Sequence, residues 1–327
     1  AGSYFGTRAG EPDVLAFDMG GTTAKLAIVL QGKPMIAYKF EASREKRFAE
    51  GSGLPISIST IELIEIGAGG GSIASIDSLD LLKVGPQSAG AAPGPACYGR
   101  GGDRPTVTAS DAVLGYLPAE GFAGGRMELD LDAARAAIER DVAVPFGTDV
   151  AEAAWGIERI VNANMANATR RVLASHGADP RTLALIAYGG NGPVHAWAVA
   201  RELGVGRGLI PKAAPAFSAL GVLVADSVVA ILRSYVTPLA QVDIDRLARL
   251  MADVSGEAEK ELEPTGLSAT TTDHFVQMCY PGQNFDISVP TAPTIEADDL
   301  LALADRLHAH HERHRGSSLP NQPPLRR

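Results

Sequence analysis

Residues 13–27 read Asp-Val-Leu-Ala-Phe-Asp-Met-Gly-Gly-Thr-Thr-Ala-Lys-Leu-Ala, and this stretch decides the fold. The apolar run from Val14 to Phe17 predicts a buried strand. Asp18 follows, then Gly20-Gly21-Thr22-Thr23, then a second apolar run from Leu26 to Leu30. Strand, glycine turn and strand make a hairpin. Glycine allows positive φ and a close approach of backbone to ligand. The amides of such a turn, with two threonine hydroxyls, suit phosphate oxygens. A carboxylate at the strand end suits a magnesium ion or its waters. Spacing alone leaves a plain hairpin with a capping Asp equally open. It excludes a Walker loop, because the G-x-x-x-x-G-K-[ST] spacing is absent. It also excludes a dinucleotide fingerprint, because no G-x-G-x-x-G opens a helix here.

Working outward, residues 13–38 read as strand, turn, strand, with Gly32-Lys33-Pro34 as the next turn. Residues 39–56 read as an exposed connection with one short helix. Ile56-Ser57-Ile58-Ser59 alternates like a half-buried strand, and Ile61 to Ile66 fits strand or helix. Gly67 to Ser72 is a glycine-dense loop. Val84 to Pro105 is crowded with Gly and Pro, which predicts a long loop; plain linker and functional loop are equal readings of it. Residues 149–176 carry the clearest helix signal, with Ala154, Ile157, Val161, Met165, Ala168 and Val172 on one stripe. Asn162, Asn164, Arg170 and Arg171 lie off that stripe. Gly177 caps the helix and Pro180 stops it.

Leu183 to Tyr188 predicts a buried strand, Gly189-Gly190-Asn191-Gly192 a turn, and Pro193 to Leu203 a helix stopped by Gly204. A strand, glycine turn and helix start form an anion site. His195 sits in that first turn, where a packed or capping role is commoner than catalysis. Val205 to Val229 reads as strand, loop and helix. Ile244 to Glu263 reads as a charged amphipathic helix, and Asp273 to Val289 as two strands around Pro281-Gly282-Gln283. Asp298 to Arg315 is a helix with an apolar stripe at Leu300, Leu303 and Leu307. His308, His310, His311 and His314 near its end have the spacing of zinc ligands, but no H-E-x-x-H is present. The proline-bearing tail from Ser317 predicts disorder.

Bulk properties set limits. With 327 residues the chain holds one large domain or two smaller ones. Hydrophobic residues at 46% and charged residues at 20% exclude wholesale disorder. Lys plus Arg at 29 against Asp plus Glu at 38 gives a net charge of -9. That balance argues against nucleic-acid or membrane partners. Cys97 and Cys279 lie far apart with no C-x-x-C, so neither a disulfide framework nor a structural zinc is expected, and a cytoplasmic setting fits. The start, Ala-Gly-Ser-Tyr-Phe-Gly, carries no signal-peptide pattern. It also lacks an initiator methionine, as a fragment or a processed chain would. The longest apolar run, Ala219 to Leu232, is too short for a bilayer and holds Asp226, so it reads as a buried core element.

The Asp18–Thr23 turn resembles the phosphate hairpin of the actin, sugar-kinase and heat-shock ATPase superfamily. Five further blocks resemble, in order, one family within it. They are Ile-Gly-Ala-Gly-Gly-Gly-Ser-Ile-Ala at 66–74, Val-Gly-Pro-Gln-Ser-Ala-Gly-Ala at 84–91, Pro-Gly-Pro-Ala-Cys-Tyr-Gly at 93–99, Asn-Ala-Asn-Met at 162–165, and Tyr-Gly-Gly-Asn-Gly-Pro-Val-His-Ala at 188–196. The family is that of hydantoinase A, 5-oxoprolinase and the acetone carboxylase β subunit. The resemblance runs from about Asp13 to Asp226.

The resemblance implies an α/β fold: an actin/sugar-kinase-like (ribonuclease H-like) ATPase lobe with a glycine-rich loop region and a smaller α+β C-terminal part. Residues 1–235 would be the nucleotide-binding domain, 236–316 a partial C-terminal domain, and 317–327 a disordered tail. The family's first phosphate hairpin belongs to an N-terminal domain not represented here, so the chain is expected to be a fragment without useful ATP hydrolysis of its own. The resemblance also implies ATP-dependent ring opening of a small cyclic amide such as a hydantoin or 5-oxoproline, with ATP and Mg2+ as cofactors. A hydantoinase B-type subunit would complete the reaction in a hetero-oligomer.

By the same resemblance Asp18 would bind magnesium through water, Gly20, Gly21, Thr22 and Thr23 would hold phosphates, and Lys25 would add charge. Gly189, Gly190 and Asn191 would face the nucleotide. Gly69, Gly70, Ser88, Cys97, Asn164 and His195 are candidate substrate or loop positions, Cys97 with a structural role favoured because no neighbouring base is identifiable. His308, His311, Glu312 and Gly316 match a further family motif. Three departures bear on full activity rather than fold: Ala109-Ser110 where similar proteins carry Asp, with Asp111 two positions late, Cys279 where Arg is usual, and Arg315 where Tyr is usual. The alternatives are a ketone carboxylase β-type subunit, a carbohydrate kinase, against which the Pro93–Gly99 loop argues, and a non-catalytic nucleotide-binding or assembly fragment.

Overall fold

A computed structural model of the chain describes residues 1–37, 40–42, 52–56, 58–269, 271–283, 286–315, 317–319 and 325–326. It divides into two compact units, Ala1–Ala174 with Ala178–Ala225, and Ser175–Gly177 with Asp226–Arg327.

The first unit is built on a mixed sheet. Its strand order is Arg207–Leu209, Ala184–Tyr188, Val14–Met19, Ala24–Leu30, Lys33–Pro34, with Ile64–Ile66 also paired to Ala24–Leu30. Val14–Met19 and Ala24–Leu30 form the predicted antiparallel hairpin, in which Asp18 lies opposite Lys25. On its other edge Val14–Met19 runs parallel to Ala184–Tyr188, placing Asp18 beside Tyr188. Alternation sends Leu15, Phe17 and Met19 to one face, where they meet Leu26, Ile28, Leu185 and the helices Val150–Ser175 and Gly192–Leu203. Val14, Val29, Ala184 and Ile186 face the other way, onto Phe217, Phe5 and Leu220 of two short helices, Gly2–Arg8 and Phe217–Leu223. The sheet is covered on both faces, which is why its central strands read as unbroken apolar runs.

Local signals explain the helices around the site. Thr106 caps the helix Val107–Val113, its hydroxyl accepting from Ala109 N at 3.3 Å. Pro193 opens the helix Gly192–Leu203, and Gly204 ends it at φ 76. On Val150–Ser175 the stripe residues Ala154, Ile157, Val161 and Met165 are buried as predicted.

Several expectations change. The Val84–Pro105 loop begins as a strand, because Leu82–Ser88 pairs with Ser72–Ile76 around an irregularity at Gly85 and Pro86. The strand expected over Ile56–Ser59 lies instead at Leu54–Ile56, paired with Phe40–Ala42 and exposed; Ser57 falls outside the described residues, as does most of 39–56. The helix expected to reach Val229 ends at Leu223. The run Ala219–Leu232 is not a core element: Val222, Leu223 and Val228 are exposed, because its apolar residues follow neither a helical nor a strand period.

The second unit holds the predicted helices Ile244–Leu262 and Ala297–Arg315 and an antiparallel sheet of Thr237–Pro238, Leu325–Arg326, His274–Cys279 and Ile287–Thr291. Leu303, Leu307, Leu247 and Met278 close its core. Most of 317–327 lies outside the described residues.

Phe17 is fully buried at the centre of the larger core. Phe17→Ala should lower unfolding free energy by about 3–5 kcal/mol. Urea unfolding followed by far-UV circular dichroism checks this; a loss below about 1 kcal/mol would contradict the two-sided covering of the sheet.

Candidate functional site

The Gly20–Thr23 turn is the floor of the candidate site. It closes on itself through Gly20 N donating to Thr23 O at 3.1 Å. The glycine loop then docks against it: Gly70 N donates to Gly20 O at 3.0 Å and Gly71 N to Gly21 O at 2.6 Å. The packing is so close that side chains are excluded. A Cβ on Gly69 would stand 2.6 Å from the carbonyl carbon of Thr22, and one on Gly71 would stand 2.8 Å from Ser88 Oγ. Gly70 has no room either, since a Cβ there would lie 2.0 Å from Asn191 Nδ2 and 2.6 Å from Thr108 Oγ1. Ser88 and its neighbours join through Ala89 N donating to Gly71 O at 2.8 Å. Three of the further sequence blocks, 66–74, 84–91 and 188–196, therefore meet at this turn, and Gly21 and Thr22 stay exposed on it.

Asp18 stands at the end of its strand, half-buried. Ser218 Oγ donates to its Oδ2 at 3.3 Å. Burial raises its pKa above the usual carboxylate range, against smaller opposing effects of Ser218 and Lys25. Gly189, at φ +84, admits this carboxylate: a Cβ would lie 2.4 Å from Asp18 Oδ1. Asn191 N donates to Met19 O at 2.9 Å, tying the second glycine turn to the first strand. Gly190 is exposed with open space around it. Beside Asp18, burial and that carboxylate push the Tyr188 hydroxyl up to about 12.

The other sequence candidates separate. Cys97 is fully buried in the main core, where burial pushes its thiol up to about 12, helped by the Asp130 and Asp111 carboxylates. Asn164 is exposed on its helix, whereas its neighbour Asn162 is buried and bonded to His195. His195 is fully buried behind the glycine loop. Its Nδ1 lies 2.9 Å from Asn162 Oδ1 and its Nε2 lies 3.3 Å from Asp111 Oδ2. Asn162 Nδ2 in turn donates to Glu158 Oε1. Thr108, Glu158 and Ser218 were not identified from the sequence as site residues, and Asp111 was noted only as an aspartate two positions beyond where similar proteins carry one. The Glu158–Asn162 spacing of one helical turn was a readable hint; nothing in the sequence links Ser218 to Asp18.

In the second unit the histidines are engaged elsewhere. Tyr280 Oη and His308 Nδ1 lie 2.5 Å apart, and Gln283 Nε2 donates to His311 Nε2 at 2.8 Å. Among the described residues no group of three or more His, Cys, Asp or Glu is placed to hold a metal ion.

Two outcomes follow from these environments. Raising the native pKa of Asp18 means that the unfolded chain ionises first as pH rises, so stability is lost between the ordinary carboxylate pKa and the raised one. Asp18→Asn should therefore be more stable than the parent at pH 7, with the gap closing toward about pH 4, as urea midpoints at both pH values will read. A parent that is equally stable or more stable at pH 7 would refute the sign. Cys97 should resist alkylation by iodoacetamide in the native chain at pH 8 and react on unfolding, because the thiolate is the nucleophile; native-state labelling at Cys97, read by mass spectrometry, would contradict its burial.

Comparison with known proteins places this geometry. The caprolactamase subunit alpha of Pseudomonas jessenii is 33% identical over 324 residues, 96% of this chain and 45% of that protein. The acetophenone carboxylase gamma subunit of Aromatoleum aromaticum is 38% identical over 227 residues, 69% of this chain and 30% of that protein. The chain thus spans less than half the length of these relatives. The crystal structure of the ATP-dependent caprolactamase from Pseudomonas jessenii superposes with a TM-score of 0.80 at 31% identity, covering 99% of this chain and 47% of that one. The α/β fold expected of an actin-like ATPase lobe is borne out by that likeness. No helix among the described residues is long and apolar enough to cross a membrane. Residues 1–231 match the hydantoinase/oxoprolinase family, and the chain belongs to it.

Proposed function

We propose that this chain is the nucleotide-binding part of an enzyme that opens a small cyclic amide, such as a hydantoin or 5-oxoproline, in an ATP-dependent reaction. The observation that carries the reading is the closure of the glycine blocks onto one turn beside a half-buried carboxylate. In this reading Gly20, Gly21, Thr22 and Thr23 hold phosphates, and Lys25, exposed on the paired strand, adds positive charge. Gly189, Gly190 and Asn191 face the nucleotide. Asp18 holds Mg2+ through water.

The residues fit such a ligand. Asp18 presents a carboxylate with one weak hydroxyl partner, Gly21 and Thr22 are open, and the buried Asn191 Nδ2 has no hydrogen-bond partner. ATP, when bound, supplies the phosphoryl group that turns a poor amide electrophile into a good one. The contribution of this chain is positioning and charge neutralisation: backbone amides and Lys25 meet negative charge, and the packed loop keeps the turn rigid. A hydantoinase B-type subunit would complete hydrolysis in a cytoplasmic hetero-oligomer. The ATP dependence of the similar caprolactamase supports this reading.

A ketone carboxylase subunit is the second reading, favoured by the likeness to the acetophenone carboxylase subunit. Bicarbonate separates the two. Lactam-dependent phosphate release without bicarbonate supports ring opening, and ketone- and bicarbonate-dependent release supports carboxylation.

The residue test is Asp18→Ala in the full-length protein. ATP-dependent turnover should fall by about 10²-fold or more while unfolding stays cooperative. Undiminished turnover removes Asp18 from the mechanism.

A further inference from the structure

Two helix starts converge on Gly70. Thr108, the second residue of Val107–Val113, holds Gly70 O twice, through its backbone N at 2.7 Å and its Oγ1 at 2.9 Å. Asn191, the N-cap of Gly192–Leu203, lays its amide over the same glycine. One turn further along each helix the two meet again, at Asp111 and His195. Both side chains are wholly buried, with Oδ2 and Nε2 3.3 Å apart. The contact is one of charge-pairing distance: neither oxygen of Asp111 nor His195 Nε2 has a hydrogen-bond partner.

The orientation of the imidazole follows from its neighbours. Asn162 must present Nδ2 to the Glu158 carboxylate, so Oδ1 faces the imidazole and Nδ1 carries a hydrogen. Burial raises the pKa of Glu158, the far end of the chain of bonds. Nε2 is then the edge of the ring turned to Asp111. That contact spans the two helices.

We propose that Asp111 and His195 are positioning residues, whose buried link ties together the two helix starts that hold Gly70 and so fixes the glycine loop beneath the Gly20–Thr23 turn. The path from link to turn is short, through Gly70 N to Gly20 O and Gly71 N to Gly21 O. The effect on turnover rests on the ATP-site reading above; the effect on the loop does not. Removing one partner leaves the other buried and unpaired, which favours opening of the junction.

The test reads both levels in the full-length protein. In Asp111→Ala and His195→Ala, amide exchange at Gly70, Gly71 and Thr108 should quicken by about tenfold or more relative to that at Leu15 and Phe17. The kcat for ATP-dependent turnover should fall by about 10²-fold, since small misplacements at such sites carry that effect. The Kd for Mg-ATP should move by less than about threefold, as for a group acting on the transition state rather than on binding. Asp111→Asn offers an N–H to the bare Nε2 and should restore both exchange and kcat. Should Asp111→Ala fail to fold, Asp111→Ser, too short to reach Nε2, carries the same expectation.

Unchanged loop exchange in the severed variants overturns the proposal, as does failure of Asp111→Asn to restore it. Quickened exchange in the variants of a parent that itself shows no ATP-dependent turnover keeps the positioning role and sinks the functional reading instead.

Discussion

The candidate site depends on backbone lying against backbone. Gly69, Gly70 and Gly71 dock on the Gly20–Thr23 turn with their α-carbons where side chains would collide. The consequence is chemical as much as steric. The turn's carbonyls at Gly20 and Gly21 are taken up by the loop, which holds the turn in one conformation. A phosphate-binding turn gains from such rigidity, because donors held in place need no rearrangement when charge arrives. Gly189 applies the same device to the carboxylate of Asp18 from the other side.

The fold was legible where its causes are local. Val14–Met19, Ala24–Leu30 and Ala184–Tyr188 are buried on both faces, so their apolar runs announced them. The helix Gly192–Leu203 carries its own start and stop in Pro193 and Gly204. The run Ala219–Leu232 misled because hydrophobicity without a period says nothing of what covers it. The helix Gly2–Arg8 has Ala1 at its N-cap with no capping side chain, and so offered no signal. Its Gly6 approaches the sheet closely, with Val14 Cγ1 2.9 Å from where a Cβ would be.

The site was legible in part. The turn, the glycine loop, Ser88 and Asn191 do converge, and their glycine-rich blocks marked them in advance. The polar residues behind them were hidden by separation along the chain. Asp111, Asn162 and His195 come from three helices, and only the packing of those helices shows that they touch. Asn162 looked solvated beside an apolar stripe; burial with Glu158 beneath it gives it a partner instead. Cys97 and Asn164, named by the same blocks, lie respectively inside the core and on its outer surface.

The parallel pairing of Val14–Met19 with Ala184–Tyr188 has a consequence during synthesis. The hairpin emerges from the ribosome well before its parallel partner, and its central edge is paired only after a further ~165 residues of the first unit have been made. At roughly 5–20 residues per second that edge waits on the order of ten to thirty seconds. Throughout this interval an apolar strand with unpaired amides is available to other nascent chains. Production of the chain should therefore respond more to holdase chaperones and slower initiation than to changes on its finished surface.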